Sequence, residues 1–432
     1  MVLVDEHSLH PKKAQGRQLA TKYLGICLFL VDWQQFMNPL ITPDAAEAVT
    51  LTHLPVLGTE EIPLEEAHGR VLASELRADR PLPPYDRVMM DGICFRKADL
   101  DEFPSLTIAG DHAAGAPAPD PLAPGHCWEV MTGACLPSDC DTVLPYEQIT
   151  RQGSNVSFSR EAAVQGRFIH EESSDHAPDD ILVPSNSLID SRIAAVAATV
   201  GATTLKVLQR PRVAIFTTGD EVVEPATSPA PHQVRQSNAA SLRAALAVLG
   251  MELIHHQHLP DNPDATTSAV REHLDSDLLL LCGGISKGKY DFVRPVMESL
   301  LGAPAFHGVA QRPGKPLAFW PGPPPVFALP GNPMSVQITF HRYVRPFLET
   351  LQNLRPVIRT VSLASEVRSD SPFACSLPVN LRQDGATLLA DPAPLSNSGD
   401  FASAIESDGF IELPADHKVF PQGSLAPFRS WL

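Results

Sequence analysis

Between residues 211 and 350, short apolar runs alternate with stretches of helix length, and this alternation restricts the chain more than any other feature. The runs at 213–216, 252–259, 278–281, 317–320 and 326–329 read as strands, and those at 237–249, 263–274, 292–300 and 334–348 read as helices. Apolar strands joined by helices of about ten residues predict a doubly wound, mostly parallel sheet covered on both faces. In such sheets ligands sit at the carboxyl ends of the strands.

At 432 residues the chain exceeds one ordinary core, and the rest of it has a different texture. The chain is therefore read as a multidomain α/β protein. Residues 37–78 and 173–209 form a helical linker domain I, entered at Pro43-Asp44-Ala45 and left through a helix ending at Gly201. Between them, residues 79–172 are short β runs punctuated by Pro and Gly, an inserted β lobe, domain II. Residues 210–355 make the α/β domain III, and residues 356–432 a C-terminal β domain IV of barrel-like character.

The strands of domain III empty into glycine-rich turns. Gly283-Gly284-Ile285-Ser286 follows one, Pro330-Gly331-Asn332-Pro333 another, and Pro313-Gly314-Lys315-Pro316 precedes a third. Backbone N–H groups presented in this way bind phosphate or another oxyanion. Asp220 and Glu221 follow Thr218-Gly219, Asp261 follows Leu259-Pro260, and Asp291 closes the Gly283 loop. Carboxylates beside such turns would repel an anion unless a hard divalent cation, ordinarily Mg²⁺, lay between them. Taken singly, each acid is equally a solvated loop residue or, for Asp291, a helix cap. Lys315, in a turn fixed by Pro and Gly, suits a phosphate contact, and Gly331 suits either an anion pocket or a tight connection.

A formal net charge of −17, from 33 Lys and Arg against 50 Asp and Glu, disfavours nucleic acid and anionic membranes as partners. The 7 cysteines show no Cys-x-x-Cys pair and no zinc spacing, as in a reduced, cytoplasmic protein. Residues 1–36 read as an N-terminal extension, native or lying upstream of a start at Met37. Their apolar run at 23–31 is too short to span a membrane. His255, His256 and His258 carry no carboxylate partner and alternate in facing, and Ser286 and Ser335 lack a matched His/Asp pair.

With those residues in hand, the chain resembles the molybdopterin molybdenumtransferase family, MoeA and the gephyrin E domain, over about residues 38–432. The resemblance is carried, in order, by Pro83-Pro84-Tyr85-Asp86 running to Met90-Asp91-Gly92, by Thr132-Gly133-Ala134, by Thr218-Gly219-Asp220-Glu221 and by Ser237-Asn238. It continues through Leu259-Pro260-Asp261, Gly283-Gly284-Ile285-Ser286 with Asp291, Pro313-Gly314-Lys315-Pro316 and Leu329-Pro330-Gly331-Asn332-Pro333.

The resemblance implies an α/β domain of the molybdopterin-binding type in a homodimer whose site lies between this domain of one subunit and the β lobe of the other. It implies insertion of molybdate into adenylylated molybdopterin with Mg²⁺-dependent release of AMP. Molybdopterin adenylyltransferase and molybdoenzyme maturation proteins would be the partners. Carried over, Asp220, Glu221, Asp261 and Asp291 would serve the metal, and Gly283, Gly284 and Ser286 the adenylyl phosphate. Lys315 would neutralise charge, Pro330, Gly331 and Asn332 would complete the pocket, Asp91 and Thr132 would hold molybdate or pterin, and Ser398 would sit on a C-terminal site loop.

Departures from the family pattern leave two rivals. Where relatives carry arginines in the β lobe, this chain has His170, Glu171 and Glu172; Gly308 replaces a frequent basic residue; and Arg87, Lys287 and Lys289 add charge elsewhere. A divergent, non-catalytic molybdopterin-binding or scaffold dimer would tolerate those losses. A pyridine-nucleotide pyrophosphatase could be built on the same α/β domain.

Overall fold

The computed structural model describes residues 40–286, 291–393 and 401–432. They divide into two units, Gly58–Gln209 on one side and, on the other, the residues up to Leu57 with Arg210–Leu432.

In the second of these, six strands form one sheet in the order Glu252–Leu259, Arg212–Thr218, Leu278–Cys282, Val326–Leu329, Ala318–Trp320, Phe306–His307. The first four run parallel, and the last two are antiparallel additions at the edge. Alternate side chains feed two cores. Val213, Ile215, Leu278, Leu280, Phe327 and Leu329 go to one face, and Ala214, Phe216, Leu279, Leu281, Val326 and Ala328 to the other. This is the doubly wound arrangement that strands apolar throughout require. From Arg212–Thr218 the chain passes first to one neighbour and then to the other, so a crevice opens beyond the carboxyl ends of Arg212–Thr218 and Leu278–Cys282.

The helix Pro43–Leu51, read from the sequence as opening the linker domain, buries Ala46 in the first of these cores. The Thr42 hydroxyl accepts from the Ala45 N–H at 3.3 Å, and Pro43 stands where a helix has no use for an N–H. The stretch read as one helix over 334–348 is built in three pieces: α-helix Pro333–Thr339, a π turn Phe340–Val344 and α-helix Arg345–Leu351. Pro346 has no N–H for the Arg342 carbonyl and would crowd it in a regular helix; one wider turn absorbs both problems.

Beyond this helix, Ala374–Asp384, Thr387–Pro392, Arg359–Leu363, Leu425–Ser430 and Gly409–Leu413 pair in sequence, and the last returns to the first. The result is a closed five-stranded barrel around Val361, Val379, Ala390, Ile411 and Phe428. A buried charge cluster ties it to the α/β core. Arg342, its side chain 2% exposed, meets Asp44 at 2.9 Å, Glu47 at 2.5 Å and Glu412 at 2.9 Å. Arg429 pairs with the same Glu412 and lies 3.3 Å from Glu47.

In the other unit, Thr59–Pro63 pairs with Thr204–Leu208, and the helix Ser191–Thr199 is capped by the Asp190 carboxylate. A six-stranded sheet, ordered Thr142–Pro145, Gly92–Phe95, His126–Val130, Leu106–His112, Asn155–Ser157, Thr150–Gln152, forms the β lobe. Among the described residues no helix is long and apolar enough to cross a membrane.

Candidate functional site

A cavity of about 410 Å³ occupies the crevice at the strand ends. Thr218 and Gly219 line it from the end of one strand, Gly283 and Gly284 from the next, and Pro330 and Gly331 from the third. Each is there because a buried strand stops at the sheet's edge and the chain turns; the turn at Pro330 and Gly331 leads directly into the helix Pro333–Thr339. Gly283 makes such a turn with φ at +96°, and a β carbon on it would come within 2.8 Å of the Thr218 hydroxyl oxygen. Only glycine lets the backbone pass so close.

Glu221, Asp261 and Asp291 line the same cavity. Asp220 stands beside it, its Oδ1 accepting from the Asp261 N–H at 3.1 Å. Burial first, and then the charges of Asp220, Glu221 and Asp291, push the Asp261 carboxyl above its ordinary range, against the pull of the Asp220 N–H. The acids therefore feel one another across the cavity. Among the described residues no three Asp, Glu, His or Cys side chains converge on one point as a metal cage would. This donor set suits Mg²⁺, which takes one or two carboxylates and completes its shell with water and ligand oxygens.

Two buried polar atoms at the cavity have no partner among the described residues: the Thr218 hydroxyl oxygen and the Asn238 Oδ1. The Asn238 amide nitrogen donates to the Gly331 carbonyl at 2.9 Å, which fixes the amide and leaves Oδ1 over. A buried acceptor left over costs free energy that a bound polar ligand would recover.

The remaining candidate residues divide between the cavity and other places. Ser286 lines the cavity. Asn332 is taken up as a helix cap, its Oδ1 accepting from the N–H groups of Met334 at 3.1 Å and Ser335 at 3.4 Å. Lys315 is exposed, with its ammonium 5.3 Å from the centre of the Phe373 ring, although Pro316 beside it reaches the cavity. Gly308, at φ +94°, would drive a β carbon to within 2.6 Å of the Leu40 side chain, so a basic residue there is strained out. Ser398, Lys287 and Lys289 lie outside the described residues.

In the β lobe the Asp91 Oδ1 accepts from both the N–H of Thr132 at 2.6 Å and its hydroxyl at 2.7 Å. The hydroxyl first and the N–H second hold the Asp91 carboxyl below its ordinary range. This pair is exposed and preorganised. Nearby in the same lobe, His170 stands between Arg87 at 2.8 Å and Asp175 at 2.9 Å, and the Glu172 N–H donates to Asp86 at 2.8 Å.

The three neighbouring histidines have separate engagements. His255 stacks on His273 with ring centres 4.1 Å apart, His256 comes within 3.5 Å of the Gln236 amide, and His258 bonds Thr217 and the Gly219 carbonyl. Thr217 and Gln236 went unread in the sequence, and His258 reads there only as one of three histidines without a carboxylate partner; strand register sets Thr217 beside His258, and the Gln236 amide reaches Thr217 from outside the sheet.

A roomier cavity of about 630 Å³ lies between the start of the first helix and the barrel. Its acids Asp44 and Glu412 are already paired with Arg342, and its walls include Leu363, Val419 and Phe420. It has neither glycine turns nor carboxylates at the ends of parallel strands, so the smaller crevice is the candidate site.

Comparison with known proteins agrees with this geometry. The MoeA N-terminal region (domains I and II) matches residues 41–201, the probable molybdopterin binding domain matches residues 214–350, and the MoeA C-terminal region (domain IV) matches residues 360–430. A molybdopterin molybdenumtransferase of Synechocystis sp. is 34% identical over 399 residues, covering 91% of this chain and 100% of that one. Another from Nostoc sp. is 34% identical over 326 residues, covering 72% and 74%. The crystal structure of the molybdopterin biosynthesis MoeA protein from Pyrococcus horikosii superposes with a TM-score of 0.79 at 27% identity, over 91% of this chain and 100% of that one. With all three regions present in order and a relative matched over its whole length, the chain belongs to the molybdopterin molybdenumtransferase (MoeA) family.

Proposed function

We propose that the protein is the transferase that inserts molybdate into adenylylated molybdopterin, with Mg²⁺-dependent release of AMP. A role in molybdenum cofactor biosynthesis follows from the family. The finer reading rests on one observation: Glu221, Asp261 and Asp291 line the same cavity as the Gly283-Gly284 turn, with the Asp261 carboxyl raised by partial burial and by the neighbouring acids. Four acids with no cation between them would reject a nucleotide; with one, they grip it.

In this reading Glu221 and Asp261, seconded by Asp220 and Asp291, hold Mg²⁺, which when bound offsets their charge and that of the phosphate oxygens. The backbone of Gly283 and Gly284 and the hydroxyl of Ser286 approach the adenylyl phosphate, with Pro330 and Gly331 closing the pocket. The orphaned Thr218 and Asn238 oxygens take polar groups of the ligand. In the β lobe, the Asp91–Thr132 pair orients molybdate or the pterin. Lys315 serves charge neutralisation only by leaving the Phe373 ring. A homodimer in the cytoplasm is part of this proposal, tested by sedimentation of the purified protein.

The experiment is to supply adenylylated molybdopterin, molybdate and Mg²⁺ and to follow AMP. Molybdate-dependent AMP release supports the reading; its absence at saturating Mg²⁺ overturns it. A non-catalytic molybdopterin-binding dimer is the second reading, favoured by His170, Glu171 and Glu172, with His170 already engaged by Asp175. It expects tight binding without turnover.

A further inference from the structure

We infer that His258 is a positioning residue for the Thr218-Gly219-Asp220-Glu221 turn. Thr217 and His258 are register partners on adjacent parallel strands, so their side chains stand side by side. The Gln236 amide donates to the Thr217 hydroxyl oxygen at 2.8 Å, that oxygen lies 3.0 Å from the His258 Nδ1, and the His258 Nε2 lies 3.1 Å from the Gly219 carbonyl oxygen. A carbonyl can only accept, so Nε2 carries the hydrogen and Nδ1 of the neutral ring is the acceptor. The Thr217 hydroxyl must then donate to Nδ1 and accept from Gln236. The chain has one direction, from Gln236 through Thr217 and His258 to Gly219, and its first two members are 8% and 3% exposed.

The Gly219 carbonyl is used twice. It accepts from the Val222 N–H at 3.0 Å, which closes the turn, and from His258, which fixes where the closed turn points. Asp220 and Glu221 ride on that turn. Asp261 stands three residues beyond His258, just past the end of the same strand; its N–H donates to the Asp220 carboxylate at 3.1 Å and its own carboxylate accepts from the Asp220 N–H at 3.4 Å. The ring and the two N–H-to-carboxylate bonds together lock one acid-bearing turn to the other. Without the ring, Val222 still closes the turn, but the carboxylates of Asp220 and Glu221 lose their aim. This rests on the proposed function only for the use to which the turn is put; the geometry of the turn is independent of it.

The test separates the two ring nitrogens. His258→Gln places a donor near the position of Nε2, and His258→Asn places polar atoms only near that of Nδ1. Nitrogen NMR of the unsubstituted protein should show the Nε2–H tautomer at His258. Amide hydrogen exchange over 219–222 should quicken about five- to ten-fold in His258→Asn and stay within about two-fold in His258→Gln, with the barrel strands unchanged in both. An Nδ1–H tautomer, or exchange at the turn that is the same in all three proteins, overturns the inference. Mn²⁺ titration in the presence of AMP gives the functional arm, with about five- to ten-fold weaker binding in His258→Asn. An unsubstituted protein that binds no Mn²⁺ would overturn the metal-assisted reading of the cavity, while the tautomer and the exchange rates still decide the role of His258.

Discussion

Asp220 and Asp261 hold each other crosswise: the Asp261 N–H donates to the Asp220 carboxylate at 3.1 Å, and the Asp220 N–H to the Asp261 carboxylate at 3.4 Å. Two negative side chains are thereby kept close by the backbone of the strands that carry them. Such closeness is a cost in the free protein and an asset once a cation arrives.

The cost has a measurable sign. The Asp261 carboxyl is raised above its ordinary value, so the folded protein binds that proton more tightly than the unfolded chain does. Its contribution to stability is present below the ordinary aspartate value of about 3.9 and is lost as pH rises through the raised one. At pH 7, with no cation added, Asp261→Asn should therefore raise Tm by about 1–3 °C, and the difference should vanish toward pH 3–4. Adding Mg²⁺ and AMP should raise the Tm of the unsubstituted protein and leave the variant where it was. Calorimetry at two pH values checks both halves.

Gly283→Ala tests the glycine turn. The residue has φ at +96°, and the added carbon would meet both the hydroxyl oxygen of Thr218 at 2.8 Å and its carbonyl oxygen at 3.0 Å. Strain of this kind costs about 1–3 kcal/mol, and relief by shifting Thr218 would disturb the cavity. Gly385, at φ +58° with nothing within 4 Å of the place a β carbon would take, is the control. Both substitutions should lower stability, but only Gly283→Ala should weaken AMP binding, as read by equilibrium titration.

The sheet and its ligand edge were legible because strands such as Leu278–Cys282 are apolar throughout and end in glycine, a pattern that few other structures tolerate. The acids near the cavity could be named for the same reason, since Asp220, Glu221 and Asp261 follow strand ends directly. What composition cannot report is register. His258 looks like a stray polar residue until its strand is set beside Thr217, and nothing around Lys315 in the sequence tells that its ammonium lies 5.3 Å from the centre of the Phe373 ring. The charge cluster was equally invisible: Glu47, Arg342, Glu412 and Arg429 are far apart in the chain, and each alone reads as a surface residue.

In the β lobe, Thr132→Val removes the hydroxyl that does most to hold the Asp91 carboxyl low and leaves the N–H in place. The Asp91 carboxyl should move up toward its ordinary value of about 3.9, with only a small loss of stability above that pH, because the pair is exposed. If this turn orients the substrate, KM should rise about three- to ten-fold, with kcat less affected. Carbon NMR titration of Asp91 and steady-state AMP release are the two measurements. Unchanged kinetics with a shifted carboxyl would take the turn out of the site.

The charge cluster predicts how the barrel is held to the α/β core. Glu412, on a barrel strand, accepts from both Arg342 and Arg429, and Arg342 is buried with a side-chain exposure of only 2%. Removing one partner of a buried pair leaves the other charge uncompensated, at a cost of about 3–5 kcal/mol. Glu412→Ala leaves two arginines to share Glu47 with the largely exposed Asp44, so partial compensation remains and it belongs at the lower end of that range. Glu366→Ala, which breaks an exposed pair with Arg368, should fall within about 1 kcal/mol of zero. Urea unfolding followed by circular dichroism distinguishes them, with the midpoint falling strongly for Glu412→Ala and barely for Glu366→Ala. Equal small shifts would mean that the barrel is held by its apolar contacts, such as Phe410 against Ile338 and Met334, and that the buried arginines add specificity without stability.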